Sequence, residues 1–280
     1  MFNIKPLKYL GQNFLTDKKV VKKIIKTADL KSTDTVLEIG PGLGALTKEL
    51  VKKVKQVIVC EKDPKMCQIL KQTLKDFKNI EIINGDILKF QIPNYKLQIN
   101  SKSKTQNYKI VANLPFYITA PIIRKFLETK FPPKEMVLLV QKEVAQRICQ
   151  KPGRMNLLAI SVQLYAKPEI ISYVSKKSFW PQPKVDSAII KIVPRKKYNV
   201  NKDLFFKVVK AGFSHPRKQL VNNLLALSLP NGLKLNKQEF SSLLLKTNIQ
   251  PSQRAETLTI DDWIRLTKTV NSKQDVLCIN

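Results

Sequence analysis

Between residues 17 and 141 short apolar runs alternate with segments of helical spacing, and this alternation restricts the fold more than any other feature of the chain. The runs "DTVLEIG" (34–40), "QVIVCEKD" (56–63), "IEIINGD" (80–86), "YKIVANLPF" (108–116) and "EMVLLVQ" (135–141) are short and predominantly apolar. Such runs read as strands buried on both faces. Between them, "PGLGALTKELVKKV" (41–54), "PKMCQILKQTLKDF" (64–77) and "APIIRKFLE" (120–128) have helical spacing, as does "DKKVVKKIIKTADL" (17–30) ahead of the first strand. Strictly alternating strands and helices predict an α/β fold with a parallel, doubly wound sheet and helices on both faces.

Beyond residue 148 the pattern changes. "LLAISVQLYA" (157–166) reads as helix, and "KPEIISYVS" (167–175) and "SAIIKIVP" (187–194) as strands around a proline-rich loop, placed to close one sheet edge. "PRKKYNVN" (194–201) is polar and opens on proline, as a linker does. After it every apolar pattern is helical. The division is therefore a sheet-bearing domain over 1–195 and a small all-α domain over 196–280. Residues 98–107, "QINSKSKTQN", read as a solvated polar insertion.

Charge narrows the function. Fifty Lys+Arg against 21 Asp+Glu leave a net charge of +29, spread along the chain rather than gathered in a tail. A globular body this basic binds polyanions, nucleic acid first among them. The four cysteines show no metal-ligand spacing, and one histidine, His215, adds little to a metal site. No metal is expected. No run is long and apolar enough to span a membrane, and the N-terminus lacks the form of a signal peptide, so a cytoplasmic protein is expected.

In a doubly wound sheet the ligand lies beyond the carboxyl ends of the strands, and the unusual residues gather there. "EIGPGLGALT" (38–47) ends the first strand, where Gly40, Gly42 and Gly44 permit sharp turning and close approach. Glu61 ends the second strand and can accept two hydrogen bonds from a ribose diol. Its spacing from Gly40 is near the ~20 residues expected of a nucleoside-binding unit. Asp86 and Ile87 end the third strand, a carboxylate for an adenine amino group and an aliphatic wall for its face. A dinucleotide and S-adenosyl-L-methionine both fit this arrangement. Leu46 and Thr47 stand where a pyrophosphate site needs a third glycine. The strand-end acids Glu38, Glu61 and Asp86 suit a sulfonium cation better.

The fourth strand ends in "NLPF" (113–116). Pro115 has no N–H and a fixed φ, so it can aim the Leu114 carbonyl into the pocket beside the Asn113 amide oxygen. Two acceptors match the two N–H groups of an exocyclic amine. Accepting both frees the nitrogen lone pair from the ring and turns it toward a methyl donor. Phe116 is placed to stack on the base.

At these residues the chain resembles the small-subunit ribosomal RNA adenine N6,N6-dimethyltransferases, the dimethyladenosine transferase family. "GQNFL" (11–15), "EIGPGLGALT", "NLPF", "QKEVAQRI" (141–148), "FWPQPKVDSAII" (179–190), "RKQLVNNL" (217–224) and "QRAETLTIDDWIRL" (253–266) resemble its motifs in order over nearly the whole chain. The resemblance implies a Rossmann-like class I S-adenosylmethionine-dependent methyltransferase sheet with a small all-α C-terminal domain. It implies that Asn13 and Leu15 contact the methionine end of the cofactor, that Gly40 lies against it, and that Gly42, Glu61, Asp86, Ile87 and Asn113 complete the cofactor site. Asn113, Leu114, Pro115 and Phe116 would hold the target base, Phe179 would stack on its other side, and Lys184, Arg217 and Lys218 would face the RNA. The implied reaction is double methylation of N6 on each of two adjacent adenosines in the 3′-terminal hairpin of 16S rRNA, on a pre-30S particle, by a monomer. Phe116 stands where the family more often has tyrosine.

Two alternatives belong to other classes. One is the large-subunit (23S) rRNA adenine methyltransferase of the macrolide-resistance type, which usually has isoleucine where this chain has Leu114. The other is a non-catalytic nucleic-acid binder on the same fold.

Overall fold

A computed structural model describes residues 6, 11–89, 99–100, 105–106, 108–195, 198–228 and 234–277. Its contacts divide the chain into two units, 1–146 with 165–195, and 147–164 with 196–280.

The first unit begins with strand β1 (Phe14–Leu15) and helix α1 (Lys18–Thr27). Asp17 caps α1 by accepting the Lys19 N–H at 2.8 Å. There follow β2 (Thr35–Ile39), α2 (Thr47–Leu50), β3 (Gln56–Glu61), α3 (Pro64–Thr73) and β4 (Ile80–Asn84). The pair β5 (Ile99–Asn100) and β6 (Thr105–Gln106) is antiparallel. The rest of the expected polar insertion at 98–107 lies outside the described residues. The unit continues with β7 (Tyr108–Asn113), α4 (Thr119–Glu128), β8 (Met136–Gln141) and α5 (Lys142–Ile148), whose last two residues fall in the second unit. After α6 (Leu157–Gln163) of the second unit come β9 (Ala166–Val174), β10 (Phe179–Trp180) and β11 (Ser187–Pro194).

Seven strands form one sheet in the order β4-β3-β2-β7-β8-β11-β9. The five from β4 to β8 are parallel, and β11 runs antiparallel to both its neighbours. The proline-flanked strands thus close one edge, as their sequence implied. Along each strand alternate residues face opposite sides. Val36, Val57, Val111 and Val137 share one core with Val21, Ile24 and Ile25 of α1. Their neighbours Leu37, Ile58, Ile110 and Leu138 are equally buried, so both faces are covered. The strand order reverses between β2 and β7, which makes the carboxyl ends of these two strands the switch point.

Near the opposite, amino ends of the strands, Lys109 is buried with Asp34 at 3.3 Å and Glu135 at 2.9 Å, and its Nζ also donates to the Ala28 and Asp29 carbonyls after α1 at 2.7 Å each. Lys191 completes the cluster, 2.8 Å from Glu135.

The sequence pattern over 41–54 turns and then becomes a helix. Only the single turn α2 forms, because Gly42 and Gly44 hold positive φ and the chain runs as turns on both sides of 47–50. The second unit holds α6 with α7 (Lys202–Gly212), α8 (Leu220–Leu224), α9 (Lys237–Lys246) and α10 (Ile260–Leu277). Its core centres on fully buried Trp263, against which Gly212 lies so closely that a Cβ there would enter the ring. The sequence pattern places 147–164 within a continuous 1–195. In the structure the Gly153 and Met155 N–H groups donate to the Glu256 carbonyl at 2.8 and 3.1 Å, which ties that segment to the helices instead.

Candidate active site

A cavity of about 320 Å³ opens at the switch point. Its wall includes every residue the sequence assigned to the cofactor (Asn13, Leu15, Gly40, Gly42, Glu61, Asp86, Ile87 and Asn113) and also Leu114, Pro115 and Phe116. Residues far apart in the chain therefore meet in one place, because parallel strands deliver all their carboxyl ends to one side of the sheet.

The turn after β2 is built by glycine. Gly40 has φ +64°, and a Cβ on it would lie 3.5 Å from the Pro115 ring. Gly42 has φ +57°, and a Cβ on it would be only 2.7 Å from the Phe14 ring. At Gly40 the positive φ alone disfavours a side chain, and at Gly42 the crowding against Phe14 adds to it. The turn also aims the Gly42 N–H at Glu61 Oε2, 3.4 Å away, while Glu61 Oε1 accepts from the Asp63 N–H at 2.9 Å. Glu61 is thereby fixed at the end of β3. Burial raises its pKa, against the pull of these N–H groups.

Deeper in the wall, Glu38 is 1% exposed, and its Oε2 has no hydrogen-bond partner. Burial pushes its carboxyl up to about 8, and the Glu61 carboxylate adds to the rise. An unpartnered buried acceptor beside a second raised carboxyl is an environment that a bound cation stabilises. Asp86 is the opposite case. The Leu88 N–H at 3.0 Å and Lys62 Nζ at 3.1 Å hold its carboxylate below the usual range. The chemistry of this wall, with the acids Glu38, Glu61 and Asp86 beside apolar Ile87, fits a nucleoside that carries a sulfonium and an amino acid. A pyrophosphate would meet these same acids with repulsion.

Asn113 is oriented by a bond the sequence could not reveal. Its Nδ2 donates to the Asn13 carbonyl at 3.1 Å. A carbonyl only accepts, so the amide nitrogen must face it, and Oδ1 remains as the acceptor. The Leu114 N–H is taken up by the Leu139 carbonyl at 3.1 Å, while the Leu114 carbonyl accepts no hydrogen bond among the described residues. Asn113 and Leu114 both line the cavity. Cys60 also lines the cavity, but burial pushes its thiol up to about 12, so it is no nucleophile. His215 lies in the second unit.

The remaining assigned residues are elsewhere. Phe179 was expected to stack on the target base. It is 4% exposed and packs with Leu15, Val174 and Ile189, and it is not among the residues that line the cavity. The cause is pairing: β10 lies antiparallel to β1 with Phe179 opposite Leu15, which turns Phe179 inward and Trp180 outward. Lys184 is exposed in a separate cleft with Lys142 and Lys176. Arg217 and Lys218 are exposed between α7 and α8 in the second unit.

Sequence reasoning missed three wall residues. Lys62 pairs with Asp86, Gln12 donates to the Asp63 carboxylate at 2.9 Å, and Tyr117 is 54% exposed at the rim. A lysine after a strand carries no signal of its own. Tyr117, next to "NLPF", could have been found by asking which further aromatic lies within reach of a base.

Comparison with known proteins agrees with this geometry. The family described as Ribosomal RNA adenine dimethylase matches residues 3–268. The chain is 45% identical over 268 residues to Ribosomal RNA small subunit methyltransferase A of Dehalococcoides mccartyi strain CBDB1, covering 95% of this chain and 88% of that protein. With the protein of the same name from Clostridioides difficile strain 630 it shares 42% over 277 residues, 97% and 93% of the two chains. A dimethyladenosine transferase from Plasmodium falciparum superposes with a TM-score of 0.79 at 29% identity over 93% of this chain and 98% of that one. The 23S rRNA methyltransferase ErmE does so with 0.71 at 26% over 92% and 100%.

Proposed function

The chain belongs to the ribosomal RNA adenine dimethylase family, and from that premise we propose that it methylates N6 of two adjacent adenosines in the 3′-terminal hairpin of small-subunit rRNA. It is an S-adenosyl-L-methionine-dependent methyltransferase with the class I, Rossmann-like fold, and it dimethylates adenine in small-subunit rRNA. The hairpin, the pre-30S particle as substrate, the monomeric state, the cytoplasmic location and the residue roles below are our reading.

The observation that carries the residue roles is the orientation of Asn113. S-adenosyl-L-methionine, when bound, supplies an electrophilic methyl group on sulfur. Asn13, Leu15 and Gly40 hold its methionine end, Glu61 its ribose, and Asp86 and Ile87 its adenine. Asn113 Oδ1 and the Leu114 carbonyl accept the two N6–H bonds of the target base, and Phe116 stacks on its face. Accepting the N6–H hydrogen bonds, two in the first transfer and the one that remains in the second, localises the lone pair on N6, so the chain prepares the nucleophile by geometry rather than by a strong base. The target adenosine must leave its stack to reach the cavity, at lower cost from an unpaired loop. Arg217, Lys218, Lys184 and the basic face of α1 grip phosphates and set the register.

The test is incubation with methyl-labelled S-adenosyl-L-methionine and, separately, undermethylated small subunits and large-subunit RNA, followed by nucleoside analysis. Dimethyladenosine at two adjacent small-subunit positions is expected. Label confined to large-subunit RNA would instead establish the resistance-type activity, and RNA bound without label would establish a non-catalytic binder.

A further inference from the structure

We propose that Trp180 is a stacking platform for an unpaired base of the RNA that flanks the target adenosine. This deepens the reading of the site as an RNA methyltransferase and rests on it. With Phe179 turned into the core, Trp180 is the aromatic that β10 presents outward, 48% exposed. Its ring is stacked on Phe14, with centroids 6.0 Å apart and planes 23° from parallel. Phe14 is itself buried, lines the catalytic cavity and fits against Gly42. The outer face of Trp180 therefore lies one ring beyond the cavity wall, where a nucleotide next to a base in the cavity would pass.

Three features make this surface a nucleic-acid site. The indole is held flat by Phe14 and by the β1–β10 pairing, which also joins the Thr16 N–H to the Ser178 carbonyl at 2.9 Å, so little conformational freedom is lost on stacking. A cleft on the same unit gathers Lys142, Lys176 and Lys184 with Glu143 and Asp186, a net cationic lining, on a chain of net charge +29. Tyr173, also exposed, has Lys142 over its ring at 5.3 Å, whereas Trp180 is 48% exposed with Phe14 as its aromatic partner. An exposed aromatic plane with flanking lysines is how proteins hold unpaired strands without reading their sequence.

The molecule carries its own probe. The chain has two tryptophans, and Trp263 is fully buried, so quenching by RNA reports Trp180. The protein with S-adenosylhomocysteine is titrated with the small-subunit 3′ hairpin, with a large-subunit hairpin and with a fully paired duplex of equal length. Saturable quenching by a hairpin and not by the duplex is expected. Trp180→Ala should raise the RNA KM roughly 5- to 150-fold, the range of one base stack, with kcat within about twofold. Trp180→Phe should recover most of that loss, and cofactor affinity and melting temperature should stay near the parent in both. Trp180→Ala with an unchanged KM, or hairpin binding seen by anisotropy without quenching, overturns the proposal. Quenching by the large-subunit hairpin alone would uphold the platform while refuting the small-subunit substrate. Methylation of the small-subunit hairpin without quenching would refute the platform and leave the substrate intact.

Discussion

Glu38→Gln should make this protein more stable as pH rises relative to the parent, by an amount the structure sets. The free carboxyl titrates at 4.5, and burial raises it to about 8 in the folded chain. Between those values the unfolded chain has released a proton that the folded chain still holds, so stability falls with increasing pH. A tenfold difference in proton affinity between the two states is worth about 1.4 kcal/mol. The loss is therefore roughly 3 kcal/mol at pH 7 and rises to about 4 at pH 8. With the side chain 1% exposed, solvent screening takes little from this figure. Glutamine keeps the shape and cannot ionise. Denaturant midpoints of both proteins at pH 5, 6, 7 and 8 give the difference free of every other titrating group. The gap should open in favour of Glu38→Gln by a few kcal/mol from pH 5 to 8. A gap constant within about 0.5 kcal/mol across that range would refute the argument that Glu38 is buried protonated. A cation bound in the cavity would favour the ionised form, so calorimetry in buffers of different ionisation heat should show proton release on cofactor binding in the parent and a smaller release in the variant, where Glu61 still carries a raised carboxyl.

Asn113→Ala removes one of the two amine acceptors and the bond to the Asn13 carbonyl. By analogy with removal of an oxyanion-hole donor, single-turnover assays should show kcat reduced about 10²–10³-fold, while unfolding curves move by only about 1 kcal/mol. Lys109→Met leaves Asp34 buried without its cation while Glu135 keeps Lys191, and denaturant unfolding should register a loss at the low end of roughly 3–5 kcal/mol. Replacing Arg217 and Lys218 together by Ala should lower the slope of log affinity against log salt by roughly 0.7 for each phosphate no longer neutralised, without altering which adenosines are methylated.

The sequence by itself determined the sheet and the floor of the site. Runs such as "QVIVC" and "MVLLV" are too uniformly apolar to be half-exposed, so a parallel sheet with both faces covered follows for its central strands, whereas "IEIIN" carries Glu81 and is only partly buried at the sheet edge. Gly40, Gly42, Glu61, Asp86 and Asn113 were legible because they stand at strand ends, and parallel strands bring their ends together whatever the details of packing. What depended on a partner distant in the chain was not legible. "Phe-Trp" at 179–180 must point one ring in and one out, but only pairing with Phe14–Leu15 decides which, and it chose Phe179 for the core. The sequence cannot show that the Asn113 amide turns on the Asn13 carbonyl, 100 residues away, or that Lys62 finds Asp86. Residues 147–164 join the helical unit through two backbone bonds to Glu256, which no side-chain pattern announces. Hydrophobic periodicity is local and survives reading one residue at a time. Register, amide orientation and ion pairing are relations between separate segments, and they exist only once the chain has folded.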